Sequence, residues 1–250
     1  MLITRKLEIC CYTVESAVTA EKAGADRIEF CDNYSEGGTT PSWAAIQYVV
    51  QNLTIPVNVI VRPRGGDFLY SKAEYEIVKN EVLKIKELGA NGIVIGFLKP
   101  GGEIDMERTT EITKLAGNME VTFHRAFDMC RNPFKALEQL KNTGIKRILT
   151  SGAKNKAFEG TGLIADLVKK AGNIIIMPGS GINENNLSAI MKKTGAVEFH
   201  SSAKKFTASK MKYFNAALSM GGNQNMDEYK IIGVDENSVR KMAAILKDNS

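Results

Sequence analysis

The segment Val121–Cys130, with the sequence VTFHRAFDMC, joins a short apolar strand to a cluster of reactive side chains. His124, Arg125, Asp128 and Cys130 follow the strand within seven residues. The chain has two histidines and four cysteines, and this segment holds one of each. A buried strand that ends in ionisable groups is typical of α/β proteins that place their chemistry at the carboxyl edge of a sheet. We therefore treat His124 and Arg125 as candidate catalytic residues, with a structural role for both as the alternative.

A second group of candidates repeats one pattern, in which an acidic residue and a thiol or imidazole are separated by one apolar residue. The pattern occurs as Glu8-x-Cys10, Glu29-x-Cys31 and Glu198-x-His200. Thiolates and imidazole are soft to borderline ligands, which suit Cu(I) or Zn²⁺ better than Mg²⁺ or Ca²⁺. Cys10, Cys31 and His200 are therefore candidate metal ligands. The chain has no CxxC or HxxxH pair, and the alternative is that the cysteines are small buried hydrophobic residues.

Glycine and serine residues after the last two predicted strands form a candidate anion site. They are Gly179-Ser180-Gly181 after the seventh strand and Ser201-Ser202 after the eighth. Backbone N–H groups at these two positions commonly bind phosphate in barrel proteins, and glycine lets an anion approach the backbone closely. The alternative is a tight glycine turn without a ligand.

An enzyme that used this site would hold a small phosphorylated or carboxylated substrate and move protons beside it. Arg62 and Arg64, in the loop RPRGG, would supply positive charge for the anion. A histidine, or a glutamate of raised pKa, would act as general acid or base. The candidate catalytic residues on this interpretation are Glu8, Glu29, Arg62, His124 and Arg125.

The elements that position these residues alternate between apolar strands and amphipathic helices along the whole chain. The predicted strands begin at residues 7, 27, 57, 93, 121, 147, 174 and 197. Eight strand–helix units in 250 residues predict an α/β protein, a single-domain (β/α)₈ TIM barrel over residues 1–250. A long connection, 203–229, precedes the last helix. A doubly wound open sheet is the alternative, but the count of eight strands and the lack of a dinucleotide glycine fingerprint disfavour it.

Local signals predict where several helices begin. Thr13 is expected to cap the first helix, and the spacing of Ser71 and Glu74 predicts a capping box at the third. Pro41 is expected to be the first residue of the second helix. The buried face of that helix is predicted to be Trp43, Ile46, Val49 and Val50.

Side-chain parity predicts which residues point into the barrel. In the first, second and eighth strands the apolar set must meet the helices, so the Glu-x-Cys and Glu-x-His pairs point inward. The eighth strand lies beside the first in a closed barrel, so three carboxylates are expected in one sector, with the thiols and imidazole nearer the mouth. Such carboxylates need counter-charges to stay ionised, and Arg27, Arg62 and Arg64 are the expected ones.

Composition excludes several classes of protein. The net charge of +5 is modest and spread along the chain, so it does not indicate a nucleic-acid partner. No apolar stretch approaches the ~18–20 residues that span a membrane, and the N-terminus does not resemble a signal peptide. Four cysteines in a chain of this size do not indicate a disulfide framework, so a cytoplasmic location is expected.

Several segments of the chain resemble, in order, those of the CutC copper-homeostasis family. They are LEICC, AGADRIEFC, EGGTTPS, IPVNVIVRPRGGDFLYS, VTFHRAFDMC, ILTSG, IMPGSGI and EFHSSA. The resemblance implies a cytosolic TIM barrel that is linked to copper tolerance, binds Cu(I) and forms homo-oligomers. It also implies that Cys10 and Cys31 are the copper ligands, whereas Cys11 and Cys130 match the family motif less firmly.

Two functional interpretations follow, with a structural or interaction module as a third. The first is a copper homeostasis protein that binds copper(I) through Cys10 and Cys31, with His200 or His124 as a further ligand. The second is an enzyme that acts on a small anionic metabolite, because the resemblance supplies no catalytic activity and barrels host many chemistries.

Overall fold

The computed structural model describes residues 4–215, 217–218, 220 and 227–249. Eight parallel strands form a nearly closed inner wall, and eight helices pack around it, so the predicted TIM barrel is confirmed. The strands are β1 (Lys6–Cys11), β2 (Arg27–Phe30), β3 (Val57–Ile60), β4 (Gly92–Ile95), β5 (Glu120–Phe123), β6 (Arg147–Thr150), β7 (Ile175–Pro178) and β8 (Glu198–Ser201). The helices are α1 (Val14–Lys22), α2 (Trp43–Asn52), α3 (Lys72–Glu87), α4 (Met106–Ala116), α5 (Pro133–Leu140), α6 (Thr161–Lys170), α7 (Leu187–Thr194) and α8 (Glu236–Lys247).

The strand order is β7-β6-β5-β4-β3-β2-β1-β8, so the first and last strands of the wall are hydrogen-bonded neighbours. Glu8 on β1 is in register with Arg27 on β2 and with His200 on β8. The parallel ladder does not continue between β7 and β8, which lie side by side. The three strands that carry the Glu-x-Cys and Glu-x-His pairs are therefore adjacent, as the sequence predicts.

The hydrophobic core has two parts, which lie on opposite faces of the strands. The main part lies between strands and helices, and it includes Leu7, Ile9 and Cys11. A small inner cluster contains Cys10, Cys31, Ile60 and Val94. Neighbouring positions on β1 thus face opposite sides of the wall, which confirms the parity argument for this strand.

Side-chain caps mark where helices α1, α2 and α3 begin, as predicted for α1 and α3 but not for α2. Thr13 accepts the Ser16 N–H at the start of α1, and Ser71 and Glu74 form the predicted capping box at α3. The prediction for Pro41 is wrong, because the Ser42 hydroxyl accepts the Ala45 N–H and caps α2, which begins at Trp43, two residues after the proline.

The predicted buried face of α2 is also partly wrong. Ile46 and Val49 are buried, whereas Val50 is half-buried. Trp43, in the first turn of α2, is 59% exposed. Its neighbour there is the Lys84 ammonium, which lies 5.9 Å from the ring centroid, and not the side chains of the core.

The connection after β8 contains regular structure. Its first part forms β9 (Lys204–Ala208), which pairs antiparallel with β10 (Lys230–Val234) just before α8. Every residue of β9 is exposed. Part of the predicted connection, residues 216, 219 and 221–226, lies outside the described residues. Among the residues described, no helix is both long and apolar enough to cross a bilayer.

Candidate metal centre at the barrel mouth

A cavity of about 630 Å³ opens at the carboxyl ends of the barrel strands. Its walls combine residues of both predicted sites. Among them are Cys10, Glu29, Arg62, His124, Arg125 and His200. The structure therefore places candidate metal ligands and candidate catalytic residues around one shared space, which is how barrels assemble sites from several strands.

Three buried side chains at the base of this cavity can hold a metal ion. One ligand atom from each of Cys10, Glu29 and His200 lies within 4.8 Å of the other two. The Cys31 thiol adjoins this group, with its Sγ 3.6 Å from the Sγ of Cys10. All four residues are at least 90% buried, so an ion bound here would be almost fully desolvated. We call these four residues the thiol–imidazole cluster.

The imidazole of His200 is held in a fixed orientation by the carboxylates of two strands. Its Nδ1 lies 2.8 Å from Oε1 of Glu8, and its Nε2 lies 3.6 Å from Oε2 of Glu29. A histidine that donates Nδ1–H to a carboxylate presents Nε2 to a metal, and such a partner also raises the basicity of the ligand. The orientation of His200 is therefore that of a metal-binding histidine.

A buried network of ion pairs supports Glu8 from below. Arg27 donates to Glu8 at 2.5 Å and to Glu198 at 2.7 Å, which confirms its predicted place beside the carboxylates. Arg147 donates to Glu198 at 2.6 Å and extends the network to Glu120 on β5. A buried carboxylate stays ionised only with such partners, so Arg27 and Arg147 keep Glu8 and Glu198 charged.

Two of the three predicted counter-charges do not contact these carboxylates. Arg62 donates instead to the backbone carbonyls of Glu36, Gly38 and Gly66. Arg64 pairs with Glu74 and Asp67 outside the cavity. Both arginines follow the end of β3 and belong to the loop at the cavity mouth. They therefore lie too far from the carboxylates at the base of the cavity to contact them.

The pKa values in the thiol–imidazole cluster are strongly shifted. The hydrogen bond from Cys31 and the neighbouring His200 hold the pKa of Cys10 well below its ordinary value. Burial raises the pKa of Cys31, and burial together with the Cys10 charge raises that of Glu29. Burial opposes the protonation of His200, but its hydrogen bonds with Cys10 and Glu8 raise its pKa well above the ordinary value. The cluster therefore favours a Cys10 thiolate beside a protonated His200.

His124 lies across the cavity from this cluster, in an apolar setting. Its Nδ1 accepts the Ala126 N–H at 3.1 Å, and its ring centroid lies 4.8 Å from that of Phe68. A Cβ atom on Gly96 would lie 2.3 Å from Cε1 of His124, so only glycine leaves room for the ring there. Burial, aided by the Arg62 charge, lowers the pKa of His124 to about 3. The neutral ring therefore carries its proton on Nε2, for which the described residues provide no acceptor.

Arg125 lies at the same edge and is bound to Asp128. Its Nε donates to Asp128 at 2.8 Å, and its terminal nitrogen donates to the Ser151 hydroxyl at 2.9 Å. Asp128 also accepts from Thr150 and Ser151, so this pair fixes the loop after β6. The structure thus shows a positioning role for Arg125, and its predicted part in catalysis stays a prediction.

The residues of the predicted anion site separate into two groups. Ser180, Gly181 and Ser202 line the cavity. Gly179 and Ser201 do not, because the Gly179 N–H continues the strand ladder to Thr150 O and the Ser201 hydroxyl donates to Ile182 O. Arg64 lies outside the cavity, as described above.

Sequence reasoning missed Arg147 and Lys156. Arg147 is the first residue of β6, as Arg27 is of β2, and its side chain likewise points into the barrel. The alternation of inward and outward side chains along β6 would therefore have identified it. Lys156 lines the cavity from a loop after β6, and no strand pattern marks that position. The other two cysteines lie away from the cluster, Cys11 in the main core and Cys130 half-buried beyond β5.

The chain is similar to known proteins over almost its whole length. Residues 5–205 match the CutC family. The family protein CutC of Enterobacter sp. (strain 638) is 47% identical over 241 residues, which cover 96% of this chain and 97% of that protein. The copper homeostasis protein cutC homolog of Homo sapiens is 46% identical over 243 residues, covering 97% of this chain and 89% of that protein.

Solved structures show the same fold. The crystal structure of CutC from Streptococcus agalactiae matches with a TM-score of 0.76 and 33% identity, over 80% of this chain and 99% of that one. Phosphoribosyl anthranilate isomerase from Thermotoga maritima matches with a TM-score of 0.61 and 12% identity, over 99% of this chain and 100% of that one. The second likeness concerns the barrel alone. On the family match and the identity to these relatives, the chain belongs to the CutC family.

Proposed function

We propose that this protein serves copper homeostasis by binding one Cu(I) ion at the thiol–imidazole cluster, through Cys10, Cys31 and His200. The observation that carries the proposal is that Cys10, Glu29 and His200, from β1, β2 and β8, offer ligand atoms within 4.8 Å of one another, while the Sγ of Cys31 lies 3.6 Å from that of Cys10. Two thiolates and an imidazole form a soft donor set, which selects Cu(I) over Mg²⁺ and Ca²⁺. A copper homeostasis name among the relatives supports copper over zinc.

The surroundings of the cluster fit a metal that is bound and then released. Glu8 orients His200, and Arg27 in turn orients Glu8, so the imidazole needs little rearrangement to bind. Glu29 lies within reach as a further oxygen donor. The cavity leaves the cluster open on one side, so an ion has a path to it. The cytosolic location and the homo-oligomer that the family resemblance implies are further parts of this proposal.

The test is an anaerobic titration of Cu(I) against a competing chelator. We expect the wild type to bind about one ion per chain, and the double variant Cys10→Ser, Cys31→Ser to lose tight binding while it keeps the fold, as measured by circular dichroism. Cys130→Ser is the matched control, because this thiol lies outside the cluster. Unchanged affinity in the double variant would refute the assignment, and an equal loss in Cys130→Ser would show that binding is not specific to the cluster.

A further inference from the structure

We propose that the cavity above the cluster also binds a small organic anion, a phosphorylated or carboxylated metabolite that carries a hydroxyl or carbonyl group. Its anionic group would bind at the loops after β7 and β8, beside Lys156, and its oxygen would accept a hydrogen bond from Nε2 of His124. This ligand site uses residues that the copper proposal does not, so the two proposals stand or fall separately.

The anionic end rests on residues that line the cavity and whose backbone N–H groups have no partner among the residues described. Within the described ranges, no hydrogen bond uses the N–H of Ser180, Gly181 or Ser202. Ser180 and Gly181 both have left-handed backbone angles, with φ of 81° and 74°. Successive N–H groups in such a turn form a concave site for anions. The side chain of Lys156 lies against Gly181, where an added Cβ would meet it at 3.3 Å.

The charge around the cavity also calls for an anion. Four cationic side chains line it, namely Arg62, Arg125, Lys156 and Lys204, beside three acidic ones, Glu29, Glu36 and Asp128, and the pKa of Glu29 is raised by burial. In the described part of the chain, only Arg125 of these four has a carboxylate partner, which is Asp128. Arg62 is 94% buried, and its guanidinium donates to three backbone carbonyls and lies 5.1 Å from the ring centroid of Phe68, with no carboxylate partner among the described residues. A buried cation without a counter-ion is costly unless a ligand supplies the negative charge.

His124 determines which group the other end of the ligand must carry. This side chain is 95% buried and lines the cavity, and its Nδ1 is already occupied by the Ala126 N–H. Its remaining polar atom, Nε2, has no partner among the described residues. Buried polar groups nearly always have a partner, so an orphaned donor on a cavity wall indicates a ligand acceptor. A neutral imidazole that donates a hydrogen bond is suited to a hydroxyl or carbonyl oxygen.

The size of the cavity limits the ligand to a small metabolite. A volume of about 630 Å³ lies within the ~300–1,000 Å³ range of small-molecule sites. A compound of few carbon atoms that carries both an anionic group and a hydroxyl matches the two ends described above.

The experiment is isothermal titration of the metal-free protein with glycerol 3-phosphate, lactate and glycerol. We expect glycerol 3-phosphate or lactate to bind and glycerol not to bind, because only the first two carry an anionic group. Whichever anion binds distinguishes a phosphate site from a carboxylate site. If neither binds at millimolar concentration, or if glycerol binds as well as the anions, the proposal is overturned.

Two variants assign the ends, and one controls for charge. Lys156→Ala should weaken anion binding about two- to fivefold, as expected for an exposed ion pair. His124→Asn keeps an acceptor for the Ala126 N–H but removes the Nε2 donor, and it should weaken binding about tenfold. Lys192→Ala removes the same charge on the exposed face of α7 and should bind as the wild type does. If His124→Asn binds the anion as tightly as the wild type does, His124 does not contact the ligand. If Lys156→Ala does so, the anionic group does not bind beside Lys156. Thermal unfolding of each variant verifies the fold.

Discussion

Glu8 and His200 are 192 residues apart in the chain, yet Oε1 of Glu8 is 2.8 Å from Nδ1 of His200 in the interior of the barrel. The contact exists because β1 and β8 are neighbours in register. It determines which imidazole nitrogen faces the two thiols, and the same carboxylate is fixed by Arg27 on the next strand. Glu8 therefore fixes the orientation of His200 and the nitrogen that His200 can offer to a metal.

Glu8→Gln should weaken Cu(I) binding about 10- to 100-fold, because loss of a carboxylate that orients a metal-binding histidine typically has this effect. The measurement is the chelator competition used for the wild type. Glu120→Gln is the matched control, since this carboxylate belongs to the same ion-pair network but is half exposed and distant from the imidazole. Equal affinity in Glu8→Gln and wild type would mean that His200 does not bind the ion.

Copper binding should release protons and should weaken as the pH falls. The pKa values of Cys31 and His200 are both raised, so each group holds a proton near neutral pH that a metal must displace. Affinity should therefore rise with pH from 6 to 8. Titrations in two buffers of different ionisation enthalpy measure the protons released per ion. An affinity that does not change over this range would contradict the assignment of these two ligands.

Arg27→Met should destabilise the fold by about 3–5 kcal/mol, because it leaves the carboxylates of Glu8 and Glu198 buried without their shared partner. Arg64→Met is the control, since its ion pairs are partly exposed and should contribute at most about 1 kcal/mol. Urea unfolding followed by circular dichroism gives both values. If Arg27→Met lowers the free energy of unfolding no more than Arg64→Met does, the ion-pair network adds little stability.

His124 should make the fold less stable in acid. Its pKa is lowered to about 3 in the folded protein against about 6.5 when unfolded, so the unfolded chain binds the proton more readily between these values. The stability that His124 contributes is fully present above about pH 6.5 and is lost as the pH falls towards 3. Between pH 7 and pH 5 the loss is about 2 kcal/mol.

His124→Asn should lose this part of the pH dependence, while the other titrating groups act equally in both proteins. The measurement is the free energy of unfolding in urea at pH 7 and pH 5, for the wild type and the variant. If both proteins lose the same stability on acidification, His124 is not buried in its neutral form.

The sequence predicts the barrel and much of the candidate site because both depend on local patterns. Each strand–helix unit has its own apolar periodicity and caps, and alternation along β1, β2 and β8 places Cys10, Cys31 and His200 on the inner face. Closure of the barrel then brings them together. These steps need no knowledge of distances between strands.

What the sequence could not predict depends on height and reach within the barrel. Parity points Arg147 into the barrel, but the contacts of Arg147 with Glu198 and of Arg62 with backbone carbonyls depend on the height of each residue in the barrel, which strand stagger sets. Lys156 reaches the cavity from a loop whose path is set by tertiary contacts. The exposed position of Trp43 likewise depends on how α2 packs against its neighbours.

The adjacency of β1, β2 and β8 also has a consequence for biosynthesis. The thiols of Cys10 and Cys31 precede the imidazole of His200 by more than half of the sequence, so they are synthesised well before it. A ribosome that has made the first half of the protein therefore presents a bare pair of cysteines without His200. The donor set of the proposed copper site is complete only when the eighth strand docks against the first, so this site would exist only in a chain whose barrel has closed there.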